Sequence, residues 1–202
     1  MRRFVATLAV SASLSLMSAV PATAQQGAAG AVKAPATEEM PQGGQGSKGG
    51  NGGCDSFTWD VSHELAVLDK PAKPITAGTN AKKPVHLDFD QRYAVKLVPQ
   101  GSVHFAVKPS KPMLDDGAQA GIFAFHTPKA GRYRVSITTG HWLDVVDGGN
   151  LVVSRDFQGQ RGCEKVHKIV EFELSGNKDF LLQLSGGTDA SLGIAITQVK
   201  PG

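Results

Sequence analysis

The sequence predicts an all-β fold, a single antiparallel β-sandwich of the jelly-roll type, and two observations carry this prediction. In residues 132–138, Tyr133, Val135 and Ile137 alternate with polar side chains, as in a strand with one buried and one solvated face. Roughly nine or ten such short segments follow one another, separated by turns rich in Gly, Asn, Asp and Pro. No helix-period stripe interrupts them, so strands dominate the prediction.

The first segment, residues 1–24, has the features of a secretory signal peptide. Arg2 and Arg3 form a basic start, residues 4–20 are uncharged and apolar or small, and Ala22-Thr23-Ala24 fits a small-residue cleavage site. The alternative is a membrane anchor, but the apolar run is at the lower length limit for a span. We therefore expect a periplasmic or secreted bacterial protein with no membrane span after cleavage.

Residues 25–53 are predicted to form a disordered linker. They include nine glycines and two prolines and no aromatic residue, so they cannot bury enough apolar surface to offset their conformational entropy. Composition leaves open whether this linker is a functional spacer or a tail without a role.

The charge balance bears on possible partners. Cleavage of the signal peptide removes Arg2 and Arg3 and leaves 19 basic against 18 acidic residues. This nearly neutral balance argues against a nucleic-acid partner.

Residues 54–202 form the predicted β-sandwich domain, and its elements follow from alternation and turn residues. Residues 64–68 either continue the first strand or form a short helical turn. Residues 70–83, 108–119 and 155–162 are predicted to be loops or polar connections. The predicted strands are residues 57–61, 85–89, 92–98, 103–107, three strands within 119–149, then 151–154, 168–174, 180–185 and 192–199.

The two cysteines, Cys54 and Cys163, are predicted to form a disulfide in an oxidising compartment. Closing a loop of this size contributes about 4–5 kcal/mol in the chain-entropy model. The alternative is a metal site that uses Cys163 and His167, but structural zinc needs four ligands and the sequence has a single such pair.

A transition-metal site is one hypothesis for the histidines. His86, Asp88 and Asp90 share one strand face, and two histidines with one carboxylate make the facial triad of iron enzymes. The second histidine would be His104 or His126, from another strand. The competing interpretation is a solvated outer face, which any alternating strand requires.

A ligand site around Trp142 is a second hypothesis. Trp142 beside Asp144, Asp147 and Asn150 has the residue types of a sugar platform, and the oxygen ligands also suit calcium. The competing interpretation is that Trp142 packs on the sheet and that residues 147–150 form a tight hairpin turn.

Motifs of catalysis are missing from the sequence. It has no Gly-x-Ser-x-Gly elbow, no Walker loop and no dinucleotide fingerprint. The six histidines form no compact ligand motif either. A binding or accessory role is therefore expected, with carbohydrate, an envelope polymer or another exported protein as the open ligand classes.

Two stretches carry a family resemblance. Residues 131–136 followed by 142–146, and residues 180–185 leading to 194–197, resemble the closing strands of pre-peptidase C-terminal domains of exported bacterial proteins. The likeness covers the chain from Tyr93 onward. It implies a β-sandwich that is a non-catalytic appendage.

The chain is also similar to short exported proteobacterial proteins of unknown role, through Trp59-Asp60, residues 97–100, residues 131–133 and Cys163. Some of these carry a homogentisate 1,2-dioxygenase label, which implies an iron enzyme. No residues here match the His and Glu motif of those dioxygenases. We thus expect an exported non-catalytic binding or accessory module of the bacterial envelope, with a small metal-dependent enzyme of dioxygenase type or a purely structural envelope protein as alternatives.

Overall fold

The computed structural model describes residues 50–111 and 116–200. The predicted signal peptide and most of the predicted linker lie outside these residues. In the described part the secondary structure consists mostly of strands. The elements are α1 (Ser62–Leu68), β1 (Lys73–Thr76), β2 (Val85–His86), β3 (Tyr93–Lys96), β4 (Val98–Pro99), β5 (Gln119–Thr127), β6 (Gly131–Ile137), β7 (Trp142–Asp147), β8 (Asn150–Val152), β9 (Asp156–Gly159), β10 (Lys168–Leu174), β11 (Lys178–Gly187) and β12 (Ser191–Gln198), with 3-10 turns at Cys54–Ser56 and Gln100–Ser102.

The strands form two sheets, which confirms the predicted all-β sandwich. One sheet has the order β1-β3-β12-β6-β10-β9, and the other has the order β2-β5-β11-β7-β8 with β4 also paired to β5. Both sheets are mixed, because β1 pairs with β3 and β2 pairs with β5 in parallel. The expectation of purely antiparallel pairing is wrong at these two pairs. Each parallel partner is reached by a long connection, as parallel pairing requires.

The main core lies between the inner faces of the two sheets. The predicted inner face of β6 is confirmed, since Tyr133, Val135 and Ile137 are each at most 1% exposed. Phe123 and Phe125 of β5 face them from the other sheet and are fully buried. Burial of aromatic and branched side chains of this size stabilises the fold by roughly 1.5–3 kcal/mol for each residue.

Part of the outer face of the first sheet is covered, contrary to the expectation of a solvated face. Ser136 is fully buried there, and Arg134 is 7% exposed. The cover is α1 with the segment before it, whose Phe57 and Leu68 pack with Ile169 on the outer face. Residues 57–61 are therefore not a strand. Residues 64–68 are helical, which confirms the helical turn that was the second of the two predictions for them.

A buried ion network joins α1 to the outer face of β6. The Arg134 guanidinium donates to Glu171 Oε2 at 2.9 Å and to Glu64 Oε1 at 3.4 Å. It also donates to the Asp60 carbonyl at 2.8 Å and lies 4.6 Å from the centre of the Trp59 ring. The three charged side chains are each at most 8% exposed. Because each carboxylate faces the same guanidinium, the network fixes the helix on the sheet.

Residues 103–107 are not a strand, although their alternation predicts one. The side-chain amide of Gln183, which is 1% exposed, takes the place of a strand partner. Its Oε1 accepts hydrogen bonds from Ala106 N at 2.7 Å and Val107 N at 3.2 Å, and its Nε2 donates to the Val107 carbonyl at 3.0 Å. Val103 of this segment packs on the outer face of the second sheet. The alternation thus predicts the burial of Val103 correctly, whereas the predicted pairing of this segment as a strand is wrong.

Candidate functional site

The predicted disulfide between Cys54 and Cys163 is confirmed, and it excludes the alternative metal site that shares Cys163. It joins the start of the domain to the loop before β10. The Gln160 side chain reinforces this link, because its Oε1 accepts from Gly52 N at 3.0 Å. Gly50 N also donates to the Gly159 carbonyl at 2.8 Å. Residues 50–53, assigned to the linker by composition, are therefore hydrogen-bonded to the domain. A disulfide fits an extracytoplasmic protein.

The histidines of the metal hypothesis do not converge. His86 Nε2 lies 3.8 Å from Asp88 Oδ1, and both side chains are more than half exposed. His126 Nδ1 lies 2.8 Å from Asp179 Oδ1 on the neighbouring strand β11. Among residues 50–111 and 116–200, no group of three or more His, Cys, Asp or Glu side chains is placed to hold a metal ion.

The remaining members of that hypothesis have other positions. His104 is exposed and pairs through its backbone with Asn80, and the adjacent Val103 contacts Ala120 near the start of β5. His126 is near the end of the same strand, roughly 20 Å further along at about 3.3 Å per residue. Asp90 is hydrogen-bonded to His63 Nε2 at 2.8 Å. Alternation predicts that His86, Asp88 and Asp90 lie on one strand face. The strand ends at His86, so this prediction does not extend to Asp88 and Asp90.

The four residues of the Trp142 hypothesis separate into two pairs. Asp147 and Asn150 are the register partners that close the β7–β8 hairpin. Gly148 and Gly149 between them have φ values of 53° and 89°, the left-handed conformations that a two-residue turn of this type requires. Asp147 is also ion-paired to Lys178 at 2.7 Å. Turn geometry thus accounts for this pair, as the competing interpretation held.

Trp142 and Asp144, in contrast, belong to one group of side chains. We call Ser110, Lys111, Trp142, Asp144 and Lys168 the Trp142 cluster. Trp142 Nε1 donates to Ser110 Oγ at 2.7 Å and to Asp144 Oδ1 at 3.0 Å. The Asp144 carboxylate, 7% exposed, also accepts hydrogen bonds from the Ser110 hydroxyl and backbone N. The half-buried indole ring is therefore held in a fixed orientation.

Two lysines place their amino groups against this ring. The distance from Nζ to the ring centroid is 4.2 Å for Lys111 and 5.4 Å for Lys168, within the range of a cation–π contact. Neither lysine forms an ion pair with a carboxylate in the described part of the chain. Lys168 Nζ donates instead to the His141 carbonyl at 2.7 Å. Burial, and then the positive charge of Lys111, lower the pKa of Lys168 to about 8, while Asp144 opposes this effect.

Two histidines, His141 and His167, lie next to the Trp142 cluster. The His141 ring is fully buried, and its Nδ1 is hydrogen-bonded to Thr139 Oγ1 at 2.7 Å. Its Nε2 has no hydrogen-bond partner among the described residues. The ring packs so closely on Gly187 that a Cβ there would lie 2.5 Å from it. Burial lowers the pKa of His141 and that of His167, and Lys168 contributes to both shifts.

Sequence reasoning found Trp142 and Asp144 and missed the other members of the cluster. Ser110 is 32 residues from Trp142 in the sequence, and Lys168 is 27 residues from its acceptor His141. Trp142 begins β7 in one sheet and Lys168 begins β10 in the other. Only the packing of the two sheets brings the Lys168 amino group and the Trp142 ring together. No local pattern in the sequence carries this information.

Comparison with known proteins finds no match for the chain. No family model, no curated protein and no solved structure matches it. The resemblance to pre-peptidase C-terminal domains and the dioxygenase label therefore stay predictions. Within the described ranges, no helix has the length and apolar character needed to cross a membrane.

Proposed function

We propose that the protein is an exported, non-catalytic β-sandwich module that binds acidic polysaccharide of the bacterial envelope through the Trp142 cluster. The observation that carries the proposal is the pair of lysine amino groups over one fixed tryptophan ring, neither of them ion-paired in the described residues. Residues 1–24 supply the expectation of export. The disulfide supports that expectation, since such bonds persist mainly outside the cytosol.

The chemistry of an acidic sugar complements this group. A pyranose ring has an apolar face that packs on an aromatic ring, and a uronic acid adds a carboxylate for the lysines. Lys111 and Lys168 repel each other, and this repulsion adds to the effect of burial in lowering the pKa of Lys168. An anion between the amino groups removes this repulsion. Binding of an anion is therefore favoured over binding of a neutral sugar of the same shape.

The cluster is also ordered before any ligand binds. Three hydrogen bonds to the Asp144 carboxylate, from Trp142 Nε1 and from Ser110 N and Oγ, fix the indole. A fixed platform loses less side-chain entropy on binding than a mobile one. This property favours a binding surface over a side chain that merely fills space.

The test compares polygalacturonate with neutral dextran as ligands of the mature chain in affinity electrophoresis. We expect retardation by polygalacturonate only, with a dissociation constant that rises with ionic strength. Lys111→Met should weaken binding by about tenfold, equivalent to about 1.4 kcal/mol. The matched control is Lys129→Met, because Lys129 is exposed on another part of the domain.

Two outcomes would overturn the proposal. Equal retardation by dextran and polygalacturonate would show that the lysines do not contribute to binding. Absence of retardation by either polymer would favour a protein partner or a purely structural envelope role. The alternative of a small metal-dependent enzyme gains no support from the described residues, because His86, His104 and His126 are not brought together.

A further inference from the structure

We infer that Lys168 is a nucleophilic amine that forms an imine with small carbonyl compounds bearing a carboxylate, with Lys111 as the partner of that carboxylate. The chemical class is an α-oxo acid, an aldehyde acid or the open-chain reducing end of an acidic sugar. This activity uses the Trp142 cluster but does not depend on polysaccharide binding.

The position of Lys168 carries the inference. Its side chain is half-buried at the first residue of β10, and its Nζ is held by a hydrogen bond to the His141 carbonyl. The centroid of the Trp142 ring lies 5.4 Å from this Nζ. No carboxylate of the described residues is ion-paired to it. A lysine that is partly buried next to a second cation is the arrangement that activates amine nucleophiles.

Burial, and then the charges around Lys168, determine how much of it is neutral. Lys111 favours the neutral amine and Asp144 opposes it, while His167 next to it is itself held toward its neutral form. With a pKa of about 8, roughly a quarter of Lys168 is unprotonated at a pH of about 7.5. An ordinary lysine is neutral in roughly one molecule in a thousand at that pH.

The reaction balances without an oxidant or a reductant. The lone pair of the neutral amine forms a bond to the carbonyl carbon, and the π electrons of the C=O bond move to the oxygen. The nitrogen loses its two protons and the oxygen gains two, with solvent carrying them. The nitrogen lone pair then forms the second bond of C=N as the C–O bond breaks and the oxygen leaves as water. The products are an imine and one water molecule. Lys111 contributes by pairing with the carboxylate of the carbonyl compound, which holds the carbonyl carbon near the amine.

The first experiment traps the imine in the wild-type mature protein, so this arm does not depend on the folding of a variant. Glyoxylate with sodium cyanoborohydride at a pH of about 7.5 converts an imine into a carboxymethyl amine, the reductant supplying the hydride. Peptide mapping then gives the rate at each lysine. We expect Lys168 to react at least about tenfold faster than the exposed internal controls Lys96 and Lys129, given its larger neutral fraction. The rate at Lys168 should level off above a pH of about 8, whereas the rates at the controls keep rising.

Two further arms separate the roles of the lysines. Lys111→Met should slow glyoxylate labelling of Lys168 more than labelling by acetaldehyde, because only glyoxylate has a carboxylate for Lys111. Labelling of Lys168 no faster than Lys129 would overturn the inference and leave Lys168 as a packing residue. Equal loss with both aldehydes in the Lys111 variant would overturn the carboxylate role. Fast labelling in a protein that does not bind polygalacturonate would instead overturn only the proposed function.

Discussion

Two groups of charged side chains in this domain differ in how their charges are matched. Under α1, the guanidinium of Arg134 lies between the carboxylates of Glu64 and Glu171, and all three are nearly inaccessible to water. In the Trp142 cluster, Lys111 and Lys168 share one ring without an ion-paired carboxylate among the described residues. The first group has opposite charges facing each other. In the second, two like charges lie over one ring, and the one carboxylate of the cluster, Asp144, is hydrogen-bonded to Trp142 and Ser110 instead.

The difference separates a structural role from the proposed binding role. A buried charge with its partners in place stabilises a particular docking of two elements, here α1 on β6. Two like charges close together, one of them half-buried, reduce stability unless an anion lies between them. Stability of the fold therefore does not account for the second arrangement, whereas the proposed binding of an anion does. Measurements of stability should give opposite signs for the two groups.

The largest effect is expected for Arg134→Met. The substitution leaves Glu64 buried without a counter-charge and leaves Glu171 with only the longer contacts from the Arg132 and Arg155 side chains, which costs about 3–5 kcal/mol of the free energy of unfolding. Guanidinium denaturation at neutral pH measures it. The control is Arg132→Met, because the Arg132 side chain is 44% exposed and its Nη1 lies 3.7 Å from Glu171 Oε1. That variant should lose at most about 1 kcal/mol, and an equal loss in both would contradict the distinction.

The sequence predicts the central strands well because their local pattern and their burial agree. Tyr133, Val135 and Ile137 face the core, as alternation requires. The same pattern fails for Arg134 and Ser136, since a distant segment, residues 57–68, covers their face. Strand β1 was missed because it is an exposed edge strand containing Pro74, with no alternation of burial.

The candidate site was predictable only in part, for a similar reason. Trp142 and Asp144 stand out by residue type and proximity. Lys168 reads as an ordinary polar residue at the start of a strand, and its contact with Trp142 arises from the packing of two sheets. The reactivity inferred for it depends on that tertiary contact. Local sequence therefore identifies the ring and not the two amines on which the proposed function depends.

A smaller effect of opposite sign is expected for Lys168→Met. At neutral pH the free energy of unfolding should rise by about 1–2 kcal/mol, because a charge that burial disfavours is removed and one hydrogen bond to the His141 carbonyl is lost. Polygalacturonate binding should fall in the same variant. A stability loss as large as that of Arg134→Met would place Lys168 with the structural charges.

The pH dependence of the free energy of unfolding, compared between the wild-type protein and Lys168→Met, tests whether the lowered pKa of the amine is the cause. Between a pH of about 8 and about 10.4, the unfolded chain binds a proton at Lys168 that the folded chain has released. Wild-type stability should therefore rise with pH in this window relative to Lys168→Met. Parallel curves across the window would show that the amine is not desolvated in the folded state.

The smallest effect is expected at the two histidines next to the cluster, the buried His141 and the half-buried His167. Burial lowers the pKa of His141 and of His167 in the folded protein, while in the unfolded chain both titrate near 6.5. As the pH falls below about 6.5 the unfolded chain binds more protons, so wild-type stability should decrease, by at most about 1.4 kcal/mol per pH unit for each histidine. His141→Gln should flatten this decrease, and adding His167→Gln should flatten it further. An unchanged slope in His141→Gln would mean that the fully buried ring accepts its proton as readily as in the unfolded chain.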